Sequence, residues 1–265
     1  MQLQNLKDSI VVEAYKILDG KKQRVKTLVA LESPINIYLN KELIASLFAS
    51  PSLLKELALG YLFGEGIIKG LEDIESISVR GNNVYVSSKE DLSLRVKAAK
   101  TIKIIDSSCG STDDFYKLLD RIDKPFVKSD FKITVSQIRD MWKKINEASE
   151  IFKMGGAVHS SAIFQNNKMV AFAEDVGRHN ATDKVIGIGL LNKIDFSRSV
   201  LIGTGRQPAS MVLKIARSGI PISISIRGPI HSGIHVAEKT GLTLIAFSRK
   251  TGLTIYTHPE RIIEI

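Results

Sequence analysis

Residues 174–184 read Glu174-Asp175-Val176-Gly177-Arg178-His179-Asn180-Ala181-Thr182-Asp183-Lys184. A β-like segment, Met169 to Ala173, leads into them, and helical spacing from about Ala181 to Leu191 follows. A strand that passes into a helix through a glycine is the building unit of an α/β sheet. The same junction is an anion site, because the first helical N–H groups point outward and Gly177 lets a ligand approach. Arg178 and Lys184 can pair with phosphate. Asp175 and Asp183 can fix those cations or accept from a base, and His179 and Asn180 can donate and accept. The plain alternative is a helix start carrying surface ion pairs, but the density of functional groups exceeds what that needs.

Strand and helix signals continue on both sides of this junction. Ala157 to Phe164 pairs with Met169 to Ala173 as a hairpin over Gln165-Asn166-Asn167. Downstream come strands at Val200–Gly203, Ile220–Ile226, Leu242–Phe247 and Thr254–Thr257, with helices at Ala209–Arg217 and Ile230–Thr240. This alternation predicts an α/β sheet with helices on its faces. Glycine turns fall at the strand ends: Gly155-Gly156 precedes His159, and Gly203-Thr204-Gly205-Arg206 links a strand to a helix. Gly205 permits close approach and Arg206 can clamp a phosphate, so these turns together suggest one crevice.

The first hundred residues are richer in strands. Ile10 to Leu18 alternates before an Asp19-Gly20 turn, and Lys26–Leu31 and Ile35–Leu39 follow, the latter ending at Asn40-Lys41. Pro51 is placed to open a helix whose apolar face is Leu53, Leu54, Leu57, Ala58, Tyr61 and Leu62, closed by Gly64-Glu65-Gly66. Ile74–Arg80 and Val84–Ser88 are strands, and Ile102–Ile105 is β-like. Thr134 with Gln137 forms a capping box for a helix ending near Ser149. Three parts are expected: a β-rich α+β part over 1–105, an active-site loop and connecting helices over 106–153, and an α/β domain over 154–265.

Cys109 is the only cysteine of the 265 residues. Its setting, Asp106-Ser107-Ser108-Cys109-Gly110-Ser111-Thr112-Asp113-Asp114, is loop chemistry rather than core, which favours a reactive thiol over a buried small hydrophobe. A phosphatase loop would place arginine six residues on, where Phe115 stands. A Cys–His–Asn hydrolase stays open from inventory, through His159, His179 and Asn180. His231 and His235 have metal-binding spacing, but Ser232 replaces the glutamate of a zinc protease. One cysteine makes no intramolecular disulfide and no cysteine-rich zinc site, and fits a reducing, cytoplasmic setting. The polar start, Met1 to Ile10, predicts no secretory leader, and no apolar run is long enough to span a membrane. Net charge is +9, spread along the chain. That favours anionic partners, and the absence of an aromatic stacking platform argues against nucleic acid.

The long motif Glu174–Gly187 resembles the signature of the FdhD/NarQ family of formate dehydrogenase accessory sulfurtransferases. Met154–His159, Gly203–Arg206, Gly241–Arg249 and Glu56–Ile68 are similar to it as well. The resemblance implies a cytidine-deaminase-like mixed α/β sheet in the C-terminal half, without that fold's zinc, since His-x-Glu and Pro-Cys-x-x-Cys are missing. It implies a homodimer and the transfer of sulfur from a cysteine desulfurase to the molybdenum or tungsten bis-guanine-dinucleotide cofactor of formate dehydrogenase, with GDP as a fragment ligand. Cys109 matches the persulfide cysteine, and Phe247, Ser248, Arg249, Lys250, Thr251 and Gly252 match the cofactor-binding segment. Gly155, Gly156, His159, Asp175, Gly177, Arg178, His179, Asn180, Asp183, Lys184, Gly205 and Arg206 complete the expected pocket. Many members read Cys-Gly-x-Cys, whereas Thr112 stands here in place of the second thiol. The alternative role is a non-catalytic cofactor-binding chaperone. A nucleotide hydrolase or deaminase would need metal ligands that the motifs lack.

Overall fold

The computed structural model describes residues 8–107, 126–248 and 252–264. Its centre is a six-stranded mixed sheet of β8 (His159–Gln165), β9 (Lys168–Asp175), β10 (Ser199–Gly203), β11 (Ile222–Ser225), β12 (Thr243–Ser248) and β13 (Gly252–Thr257). The order is β13-β12-β11-β10-β8-β9. The three central strands β10, β11 and β12 are parallel, and β8, β9 and β13 run against their neighbours. Parallel central strands have both faces covered, so their sequences are apolar on both sides. Ile163 and Leu201 face α5 (Arg178–Leu191), α6 (Ala209–Ser218) and α7 (His231–Thr240). Ala162, Phe164, Val200 and Ile202 face the other way, onto Ile138, Met141 and Ile145 of α3 (Val135–Ala148). Thr134 caps α3 through the capping box read from the sequence, with Gln137 N–H donating to Thr134 Oγ1 at 3.2 Å.

The smaller sheet has the order β4-β3-β6-β5, from β3 (Ser33–Leu39), β4 (Glu42–Ala49), β5 (Ile74–Arg80) and β6 (Asn83–Ser88). Ile35, Ile37, Val84 and Val86 pack under α1 (Leu54–Gly64) and α2 (Ser93–Ser107). Each fully buried leucine of α1 contributes about 1.5–3 kcal/mol of transfer free energy. The hairpin β1–β2 (Ser9–Leu18, Lys21–Ala30) is a separate two-stranded sheet and turns at Asp19-Gly20, both at positive φ as a type I′ turn requires. Short β7 (Ile133–Thr134) and β14 (Ile262–Ile263) pair in parallel. A short helix, α4 (Glu150–Gly155), precedes β8.

Two expectations fail. Pro51 does not open α1, which begins at Leu54 after Leu53 in a left-handed conformation. The backbone before it is instead committed to a contact 125 residues away, described below. Ile102–Ile105 is not a strand, and Asp106 and Ser107 are not loop. All belong to α2, whose buried Val96 and Ala99, with Leu92 just before the helix, set a helical stripe that carries on through β-prone residues. Once nucleated, a helix propagates past weak propensity.

The two sheets are joined by helix on helix. α5 lies between the large sheet and α1 and is buried on nearly all sides from Asn180 to Gly187. Such a helix has no polar face to spare. A Cβ on Gly60 would stand 1.8 Å from the Asp183 carbonyl oxygen, and one on Gly187 1.9 Å from that of Glu56. These two glycines let the backbones of α1 and α5 touch.

Beside that contact sit two buried ion pairs. Lys184 Nζ lies 2.7 Å from Asp175 Oδ2, with both side chains inaccessible to water. Asp175 Oδ2 also accepts the Ser50 N–H at 3.1 Å, and its Oδ1 accepts from Gly177 N and Asn180 Nδ2, each at 2.9 Å. Lys184 Nζ donates to the Ser50 carbonyl at 3.0 Å, and Asn180 Nδ2 donates to that of Phe48 at 2.8 Å. The end of the small sheet is thus clamped to the start of α5. At the residue before Lys184, Lys214 Nζ donates to both Asp183 oxygens at 2.7 and 2.8 Å, with Glu65 at 3.5 Å. Burial pulls the Lys214 pKa down, but Asp183 and Glu65 outweigh it and hold the ammonium above its ordinary range.

Gly187→Ala is expected to lower unfolding stability by about 1–3 kcal/mol through overpacking, read as a reduced urea midpoint. Asp175→Ala or Lys184→Met strands the partner charge and is expected to cost about 3–5 kcal/mol. The Asp175→Ala/Lys184→Met double variant should cost less than the sum of the single variants. Additive losses would show that the pair is not coupled.

Candidate functional site

The topology brings the predicted turns to one edge of the large sheet. β8 begins at His159, which pairs with Asp175 at the end of β9, and Ser161 pairs with Gly203 at the end of β10. β11 ends at Ser225 and β12 at Ser248, which pairs with Gly252. The turns after Gly156, Asp175, Gly203 and Ser225 therefore share this edge with the end of β12. Ligands of open α/β sheets bind outside the carboxyl ends of the parallel strands, and this edge is that end.

An open cleft of ≈ 220 Å³ lies there, lined by Phe152, Gly156, Ala157, Val158, His159, Thr204, Ile226 and Arg227. A narrower recess continues inward past His159, Ser160, Arg178, Gly205, Gln207 and Ser225. Gly205 shapes this recess, since a Cβ there would meet Arg178 Cβ at 2.6 Å, so glycine lets the arginine lie across the turn. Gly177 starts α5 with its N–H on Asp175, and Asn180 Nδ2 lies where a Cβ on Gly177 would collide, at 2.7 Å. Gly156 caps α4 at a φ of 65°, with open space around it.

His159 is half-buried. Its Nδ1 lies 3.2 Å from Thr204 Oγ1, which also accepts the Ser160 N–H at 3.0 Å. Burial, then Arg178 and Arg227, push the His159 pKa below the ordinary histidine range, against a smaller pull from Asp175. The ring is a neutral donor and acceptor at pH 7. Glu174 accepts from Ile151 N at 3.1 Å and Phe152 N at 3.0 Å and so ties down α4, one wall of the cleft. Burial raises its pKa despite those bonds.

The predicted site residues divide by what holds them. His159, Gly156, Gly177, Arg178 and Gly205 sit at the cleft edge or its recess. His179 lies on the first turn of α5, with Nε2 3.4 Å from Ser210 Oγ. Arg206 is exposed beside the Gly205 turn but lines neither part of the cleft. Asp175, Asn180, Asp183 and Lys184 are buried in the bonds that join the two sheets, so their charges act on the fold rather than on a ligand. Phe247, on β12, packs on Trp142 at 6.2 Å between ring centroids. Gly155 closes α4, and Ser248 ends β12. Cys109, Arg249, Lys250 and Thr251 lie outside the described residues. His231 and His235 occupy the start of α7. Among the described residues no three metal-ligating side chains cluster.

Sequence reasoning missed Thr204, Gln207 and Arg227. Arg227 stands two residues past a parallel strand, so the strand-end rule that picked Gly205 would have reached it. Gln207 is buried; its Nε2 donates to Ser223 Oγ at 2.8 Å, and its Oε1 has no hydrogen-bond partner among the described residues.

Residues 30–263 match the model of the FdhD/NarQ family. A sulfur carrier protein FdhD from Saccharolobus solfataricus is 37% identical over 253 residues, 93% of this chain and 95% of that one. One from Methanothermobacter thermautotrophicus is 33% identical over 254 residues, 95% of this chain and 98% of that one. The crystal structure of a candidate formate dehydrogenase accessory protein from Desulfotalea psychrophila superposes with a TM-score of 0.77 at 30% identity, covering 96% of this chain and 99% of that one. With the fold, the motif and these relatives in agreement, the chain belongs to the FdhD/NarQ family.

Proposed function

We propose that this protein is a sulfur carrier for formate dehydrogenase: it takes sulfur from a cysteine desulfurase as a Cys109 persulfide and delivers it to a molybdenum or tungsten bis-guanine-dinucleotide cofactor seated at the sheet edge. The observation that carries the reading is the cleft itself. It gathers His159, Arg178 and Arg227 beside a helix start and open glycine turns, the donor set that a dinucleotide diphosphate needs. The named relatives, sulfur carrier proteins FdhD, supply the sulfur chemistry.

Loading needs no outside electrons. The Cys109 thiolate attacks the terminal sulfur of the donor's persulfide. The donor's S–S bond breaks, its cysteine leaves as thiolate, and Cys109 holds the new S–S bond. Release as sulfide needs two electrons. With Thr112 in place of a second thiol, the chain cannot supply them by closing a disulfide, so an external thiol pair is oxidised instead. The cleft's part is to hold the client still. Arg178 and Arg227 neutralise phosphate charge, and the Gly156 and Gly205 turns let backbone approach the phosphates.

After incubation with a cysteine desulfurase and cysteine, intact-mass spectrometry is expected to show one added sulfur, about 32 Da, removed by dithiothreitol and missing in Cys109→Ala. An adduct of equal yield in Cys109→Ala overturns the assignment. If Cys109→Ala still activates formate dehydrogenase, the role is that of a non-catalytic chaperone. For the pocket, Trp142 is the only tryptophan and rests on Phe247, so GDP titration is expected to change its fluorescence. Arg178→Ala should weaken GDP about tenfold, roughly 1.4 kcal/mol. Wild-type protein that does not bind GDP at millimolar concentration contradicts the guanine-dinucleotide reading.

A further inference from the structure

Thr204 is almost fully buried, and its hydroxyl has one hydrogen and two lone pairs to satisfy. One lone pair accepts the Ser160 N–H at 3.0 Å. For the hydroxyl hydrogen, the one acceptor within reach among the described residues is His159 Nδ1, at 3.2 Å. If Nδ1 carried the proton, it would donate to the second Oγ1 lone pair and the hydroxyl hydrogen would have no acceptor among the described residues, which is costly away from water. With the lone pair on Nδ1, both groups are satisfied. The proton of the neutral ring then sits on Nε2, which has no hydrogen-bond partner among the described residues on a side chain that lines the cleft.

We propose that Thr204 is a positioning residue that locks His159 in its Nε2–H tautomer, presenting a neutral donor to a phosphate oxygen of the bound diphosphate. The identity of that diphosphate rests on the guanine-dinucleotide reading above; the tautomer does not. The electrostatics agree. Burial and the two flanking arginines keep the ring uncharged, so the cationic charge of the subsite comes from Arg178 and Arg227 while His159 adds direction. A neutral N–H with the charge of Arg178 and Arg227 near it suits a polyanion such as a diphosphate. The Thr204 N–H donates to the Ser160 carbonyl at 3.0 Å, so the same residue pair that fixes the hydroxyl also fixes the strand end. A hydroxyl on β-branched carbon at this point is thereby held in one orientation.

The test is ¹⁵N NMR of the imidazole at pH 7, with the His159 signals assigned by their loss in His159→Gln. The expected wild-type spectrum has Nε2 protonated and Nδ1 bare, with inorganic pyrophosphate moving Nε2. Thr204→Val is expected to mix the tautomers and weaken pyrophosphate about tenfold, while Thr204→Ser keeps tautomer and affinity within about twofold. A wild-type ring protonated at Nδ1 overturns the proposal. So does a folded Thr204→Val protein that binds pyrophosphate like wild type, or a wild-type Nε2 that pyrophosphate does not move. If pyrophosphate moves Nε2 but GDP does not bind, the subsite stands and the guanine-dinucleotide reading fails.

Discussion

Asp175 is an ionised side chain placed where water does not reach, and it survives there because every one of its bonds is made. A buried carboxylate left unpaired costs several kcal/mol, so the chain must bring Lys184, Asn180, Gly177 and Ser50 to it together. Three of these come from the strand–helix junction itself. Ser50 comes from the far side of the molecule, 125 residues earlier in the chain. That one requirement fixes the start of α5 against the end of the small sheet, and with it the place where α1 crosses α5 at Gly60 and Gly187. Hydrophobic burial supplies the bulk of the stability, but it is non-directional. The clamp supplies the register.

The cleft follows from the same constraint. With Asp175 held from below, the loop through Gly177 cannot move outward, and Arg178 is laid over Gly205. Its neighbour Glu174 points the other way and holds α4 by two N–H bonds, so the opposite wall is anchored by the same strand. A binding site assembled from four strand ends gains its precision from the sheet behind it and its adaptability from the turns in front. A carrier that must accept a large, charged client and release it needs both.

Much of this was legible in the sequence. The strand–glycine–helix junction, the capping box at Thr134 and the type I′ turn at Asp19-Gly20 all follow local rules, and local rules held there. The mixed sheet was legible because strands and helices alternate after residue 154. What local reasoning could not supply was direction. When only their neighbours are seen, Lys184 looks like a phosphate ligand and Asp183 like a group that fixes such a cation or accepts from a base. Their fate is set by the Ser50 carbonyl, 134 residues from Lys184, and by Lys214, 31 residues from Asp183. Pro51 misled for the same reason, since the backbone before α1 is bound into that contact. Ile102–Ile105 misled because a β-prone run is carried by the helix in front of it. Thr204 carried no signal at all: its meaning lies in a hydroxyl hydrogen shared with a ring on the next strand.

The central claim is that sulfur passes through this protein rather than around it. A single-turnover chase tests that directly. The protein is loaded with ³⁵S from labelled cysteine and a desulfurase, separated from the donor, and mixed with inactive formate dehydrogenase in the presence of a dithiol. The account predicts that the label leaves Cys109 and appears with the pterin cofactor extracted from formate dehydrogenase, in step with the gain of activity. Activity that rises while the label stays on the protein, or is lost only to free sulfide, would contradict it.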